Sequence, residues 1–187
     1  MDEYWKSFEI NIKGTLLTFQ AWQGHMGSHD PTFISLNSTA AQAAFPTLSA
    51  YCASKAGQAQ MVAAIAAENP NIKVFSMHPG TIESEMNVKA GLPLSKDDTS
   101  LPGSFAVWLA TSAAAFLHGR FLWAHWDVDE LKAMEEDIKE KHELLIGLTG
   151  WPKNAGQEKV VAQGRSIRAC DRQSQTTSRA SGELARI

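Results

Sequence analysis

Two short β-rich runs, TFISLN (32–37) and IKVFSM (72–77), flank SAYCASKAGQAQMVAAIAAEN (49–69), an alanine-rich stretch that reads as one long helix ended by Asn69-Pro70. A buried strand, a helix and a second buried strand in that order imply a parallel βαβ unit, so the chain is constrained to a layered α/β sheet. A third run, RFLWA (120–124), follows a helix predicted after Pro102 over GSFAVWLATS. In front, Trp5, Phe8, Ile12, Leu16 and Phe19 recur at three- and four-residue steps and predict a helix over 3–24. Gly24, Gly27, Asp30 and Pro31 break it, and Gly91, Pro93, Asp97 and Asp98 mark 81–100 as a long loop. DVDELKAMEEDIKEKHEL reads as a charged helix opened by Asp127 as N-cap, its acids and lysines forming a solvated face. Residues 1–150 are read as one α/β domain. From about Trp151 the chain turns polar and weakly patterned, and 151–187 is expected to be a disordered tail.

Composition excludes more than it selects. The 187 residues suffice for one domain with a substantial core, and a net charge of −3 leaves no electrostatic footprint for nucleic acid or an anionic membrane. The five arginines scattered from 165 to 186 have no interleaved aromatic residue, which argues against single-strand binding by the tail. No apolar run reaches the ~18 residues of a membrane span. With only Cys52 and Cys170, neither a disulfide framework nor a zinc cluster is available, and the expected setting is the cytoplasm. His25 and His29 lie four apart, but in a Gly- and Pro-bearing loop without a third ligand, so no metal site is expected. Cys52 has no neighbouring histidine in sequence to activate it and reads as a buried thiol.

The chemistry centres on YCASK (51–55). On a helix, positions i and i+4 share a face, so the Tyr51 phenol and the Lys55 ammonium can approach. A nearby cation favours a phenolate, which suits a phenol to general acid–base work. A Tyr–Lys pair on a helix is by itself more often a surface pair than a catalytic one. Three neighbours raise its meaning. Ser38 stands directly after the strand FISLN, at the sheet edge where sites form in parallel α/β folds. The next strand delivers SMHPGTIESEM to the same edge, and Asn11 lies 27 residues before Ser38.

With NIKG (11–14), ISLNS (34–38), YCASK (51–55) and HPGTIESEM (78–86), the chain resembles the short-chain dehydrogenase/reductase family over about residues 1–150. GRFLWAHWDVDEL and GLTGW are similar to its fungal branch, often found in specialised-metabolite pathways. The resemblance implies a Rossmann-type, doubly wound parallel sheet and hydride transfer between a nicotinamide cofactor and a carbonyl or alcohol substrate. NADP is the expected cofactor, with NAD the alternative. The family's Asn-Ser-Tyr-Lys tetrad falls on Asn11, Ser38, Tyr51 and Lys55. Tyr51 would move the proton at the reacting oxygen, and Lys55 would assist the phenol and hold the nicotinamide ribose. Ser38 would orient the substrate oxygen, and Asn11 would hold a water that links Lys55 to solvent. Ile82 and Ser84 would clasp the nicotinamide carboxamide, with serine standing where the family has threonine.

The family's Gly-rich first turn and its Asn-Asn-Ala-Gly motif have no counterpart in the sequence. The resemblance therefore implies an N-terminally truncated member holding the last three strands of the sheet. An inactive remnant, acting at most through association with other protein, is the alternative to an active enzyme. Homo-oligomers through the 3–24 and 49–69 helices are expected on the same resemblance. His78 reads as structural, Trp108, Trp123, Trp126 and Trp151 as core or pocket wall, and Met86 as a substrate contact.

Overall fold

The computed structural model describes residues 1–27, 30–85 and 97–147. The expected tail, 151–187, lies outside them, as do His29, Met86, Trp151 and most of the expected loop. Met1–Ile146 form one compact unit.

Three parallel strands, β1 (Thr32–Leu36), β2 (Lys73–His78) and β3 (Phe121–Trp123), lie side by side in sequence order. The register sets Leu36 beside Met77 and His78 beside Trp123, so the chain leaves all three strands at one edge. Every residue of β2 is buried. Its alternating side chains feed two cores: Val74 joins Phe19, Phe33, Val62 and Ile65 on one face, and Phe75 and Met77 join Phe105, Leu109, Leu122 and Ile138 on the other. Helices α2 (Gly14–Gln23) and α3 (Ser49–Glu68) supply the first layer. The second comes from α4 (Ser100–Leu109), α5 (Val128–Ala133) and α6 (Glu135–Glu140). Sheet and helices on both faces make the expected α/β arrangement, part of a Rossmann-type fold. No helix among the described residues is long and apolar enough to cross a membrane.

Three helices depart from the sequence expectation. The first is α1 (Asp2–Phe8) continued by a π-helical turn over Glu9–Lys13 before α2, with the Gly14 amide donating to the Glu9 carbonyl five residues back. The fourth starts before Pro102, because proline in a helix's first turn forfeits no intrahelical bond. The charged segment divides at Met134 (φ −89, ψ 3) into α5 and α6. Asp127 caps α5 as expected, its carboxylate accepting from the Asp129 and Glu130 amides at 2.8 and 3.0 Å.

Candidate active site

Helix α3 presents Tyr51, Lys55, Gln58 and Val62 on one stripe, each three or four residues from the next. The stripe faces β1, so its polar members are held among buried groups. Lys55 is 9% exposed, and its Nζ donates to the Leu36 carbonyl at 3.1 Å and to Gln58 Oε1 at 2.8 Å. Two of the three N–H groups are thereby occupied. The ammonium lies 6.0 Å from the centroid of the Tyr51 ring. Burial disfavours the charge and lowers the Lys55 pKa from 10.5 to about 8.

Gln58 ties this stripe to its neighbours. Its Nε2 donates to Ser35 Oγ at 2.9 Å, Thr15 Oγ1 at 3.0 Å and the Leu36 carbonyl at 3.2 Å. Thr15 Oγ1 donates in turn to the Asn11 carbonyl at 2.8 Å. A chain of protein groups thus runs from Asn11 through Thr15 and Gln58 to Lys55. The Asn11 side chain reaches α3 separately, donating to Ser54 Oγ at 2.9 Å, while that hydroxyl donates to the Tyr51 carbonyl at 2.9 Å. The π-turn is where Asn11 sits, and the wider turn is one that α-helices often use at functional positions.

Ser38 opens a single 3₁₀ turn, Thr39–Ala41, packed against α3. Its Oγ accepts from the Ala40 amide at 3.2 Å, which leaves the hydroxyl proton to donate. Asn37, buried just before it, fixes the turn. Its Oδ1 accepts the Ser38 amide at 2.8 Å, and its Nδ2 donates to Ser76 Oγ at 3.1 Å and to the Lys55 carbonyl at 3.3 Å. Asn11, Ser38, Tyr51 and Lys55 are therefore joined through one polar network around the start of α3. Ile82 and Ser84 follow the Pro79-Gly80 turn that leaves β2, and Ile82 pairs with Asp97 in an isolated parallel bridge. Cys52, expected as a buried thiol, is only half-buried, beside the half-buried Tyr51 at the first turn of α3. His25 is exposed on the helix end, with Nδ1 2.8 Å from the Ala21 carbonyl.

Gln58, Asn37, Ser54 and Ser76 were not foreseen. Gln58 was detectable, as a polar residue on the stripe that Tyr51, Lys55 and Val62 mark as inward. Asn37 and Ser76 are polar residues in buried runs, but spacing alone does not say that they meet.

The short chain dehydrogenase family profile matches residues 1–93. The short chain dehydrogenase/reductase AacuD of Aspergillus aculeatus is 37% identical over 147 residues, covering 76% of this chain and 52% of that relative. A short chain dehydrogenase/reductase of Claviceps purpurea is 39% identical over 148 residues, 75% of this chain and 50% of its own. The chain spans about half the length of these curated relatives. Among solved structures, acetoin dehydrogenase from Enterobacter cloacae is 25% identical with a TM-score of 0.52, covering 66% of this chain and 53% of that one.

Proposed function

Since the chain belongs to the short-chain dehydrogenase/reductase family, we propose that it carries the catalytic residues of a fungal oxidoreductase acting on a small carbonyl or alcohol. When bound, the nicotinamide cofactor supplies or accepts the hydride. Tyr51 gives the proton to the reduced oxygen, or removes it in the reverse direction. Lys55, its Nζ 6.0 Å from the centroid of the Tyr51 ring, has one N–H left for a ribose hydroxyl. Ser38, with a free hydroxyl proton, orients the substrate oxygen. Asn11 braces the Tyr51 turn through Ser54 and connects to Lys55 through Thr15 and Gln58. Ile82 and Ser84 receive the carboxamide. NADP is the proposed cofactor, and specialised metabolism in the cytoplasm the proposed setting.

The observation that carries this reading is the buried ammonium held beside the Tyr51 ring at the carboxyl edge of a parallel sheet. The chain fused to the N-terminal segment of a related family member that carries the Gly-rich turn, assayed for NADPH and NADH oxidation against a panel of ketones and aldehydes, should turn over. Tyr51→Phe should cut the rate by ~10²- to 10⁴-fold while leaving the circular dichroism unchanged. Equal rates for the two proteins would remove Tyr51 from the chemistry. A second reading, association without catalysis, is favoured by the exposed apolar side chains of the first helix, Trp5 (56%), Ile10 (62%) and Leu17 (54%).

A further inference from the structure

The turn that leaves β2 is held from outside the tetrad. After His78 the chain passes through Pro79 to Gly80, whose φ of +93 belongs to the left-handed region. The next amide, Thr81 N–H, donates to Asp97 Oδ2 at 2.7 Å. The same oxygen lies 3.0 Å from His125 Nε2, on the segment leaving β3. A Cβ on Gly80 would come within 2.8 Å of Asp97 Oδ2 and 2.9 Å of His125 Cε1. The turn, the approach to α4 and the exit from β3 thus converge on one carboxylate oxygen. Behind them His78 is 7% exposed, its ring 4.7 Å from Trp123 edge-on and 6.4 Å from His125.

We propose that Asp97 and His125 are positioning residues for the Pro79–Gly80–Thr81 turn, the carboxylate fixing the Thr81 amide and the imidazole fixing the carboxylate. On the reading given above, that turn leads into the carboxamide contacts of Ile82 and Ser84, so the pair sets where the nicotinamide end of the cofactor is received. A carboxylate that accepts a backbone N–H and an imidazole N–H together has little freedom to rotate, and the charge strengthens both bonds. The titratable groups facing Asp97 among the described residues are His125 and, behind it, His78. The Thr81 amide, then His125, hold the Asp97 carboxyl below its ordinary value of 3.8. The ordering is therefore complete above that ordinary value and is lost as pH falls through the lower, folded one. Burial, followed by repulsion from His125, lowers the His78 pKa below its ordinary 6.5, so at neutral pH it adds no competing cation beside Asp97.

Amide NMR of the ¹⁵N-labelled full chain tests this near neutral pH. Asp97→Ala should raise hydrogen exchange at Thr81 by about tenfold or more, the expected result of losing a bond to a charged acceptor. Asp97→Asn, which keeps the shape without the charge, should shift the Thr81 resonance upfield and abolish its acid titration. In His125→Gln the midpoint of that titration should move up. An unchanged Thr81 resonance and exchange rate in both Asp97 variants would overturn the proposal. NADPH added to the wild type should displace the Ile82 and Ser84 amides, and Asp97→Ala should weaken that response about tenfold. A wild-type spectrum indifferent to NADPH would count against the cofactor reading, while exchange at Thr81 would still decide the role of Asp97 and His125.

Discussion

Replacing Lys55 with methionine removes a buried charge while keeping an unbranched stem of similar length. Burial lowers the ammonium pKa from 10.5 to about 8. Between those values the unfolded chain holds a proton that the folded chain has released, so folding becomes more favourable as pH rises through that window. Below about pH 8 both states are charged and the folded one bears the whole desolvation cost; above 10.5 neither is charged. At about 1.36 kcal/mol per pH unit the gap is roughly 3 kcal/mol, or about 2 to 3 kcal/mol once solvent near the ammonium is allowed for. Lys55→Met abolishes this component, but it also leaves Gln58 Oε1 short of a donor, at about 1–3 kcal/mol, while the Leu36 carbonyl keeps the bond from Gln58 Nε2. The opposing effects are of similar size, so stability at one pH decides nothing. The difference between the two proteins across pH does. Urea unfolding followed by tryptophan fluorescence, from about pH 7 to about pH 11, should show the wild type gaining about 2 to 3 kcal/mol on the variant. A difference that stays flat would refute the reasoning: Lys55 would not be a charge buried at a cost.

Gly80→Ala combines a disfavoured φ with a collision against Asp97 and His125, and should cost about 1–3 kcal/mol, read as a lower thermal midpoint; an unchanged midpoint would contradict the turn geometry. The exposed Trp5, Ile10 and Leu17 should drive self-association at micromolar concentration, and Trp5→Ser with Leu17→Ser should shift the sedimentation profile toward monomer. A compact wild-type monomer would show that this apolar face needs no partner.

Strands were legible where burial was total. IKVFSM is apolar on both faces because β2 feeds two cores, and such a run has few alternatives to a central parallel strand. Tyr51 and Lys55 were legible because helical spacing fixes which side chains share a face. The same rule found the first helix but not what covers it. Its apolar spacing was real, yet only Phe19 is buried in α2 and none of α1 is, since periodicity names a face and not what covers it. Nor did the spacing reveal the π-turn, because steps of three and four residues tolerate one extra residue without losing phase. The Asp97–His125 contact joins residues from separate elements, and no local pattern encodes a pair of that kind.

The π-turn at Glu9–Lys13 also makes the first helix sensitive to length in a way its composition does not suggest. Deleting a single residue there would let α1 and α2 merge into one regular ladder, with each amide finding its partner four residues back. The turn absorbs its extra residue locally, so α1 would keep its phase with α2. The residues inside the turn and before the cut would move on by up to one position, about 100° around the axis and about 1.5 Å along it. A deletion between Asn11 and Gly14 would carry the Asn11 amide away from Ser54, although every side chain of the network remained in the sequence. The extra residue acts as a spacer: it aims Asn11 at α3 while Phe19, one and a half turns beyond Gly14, still reaches the core beneath the sheet.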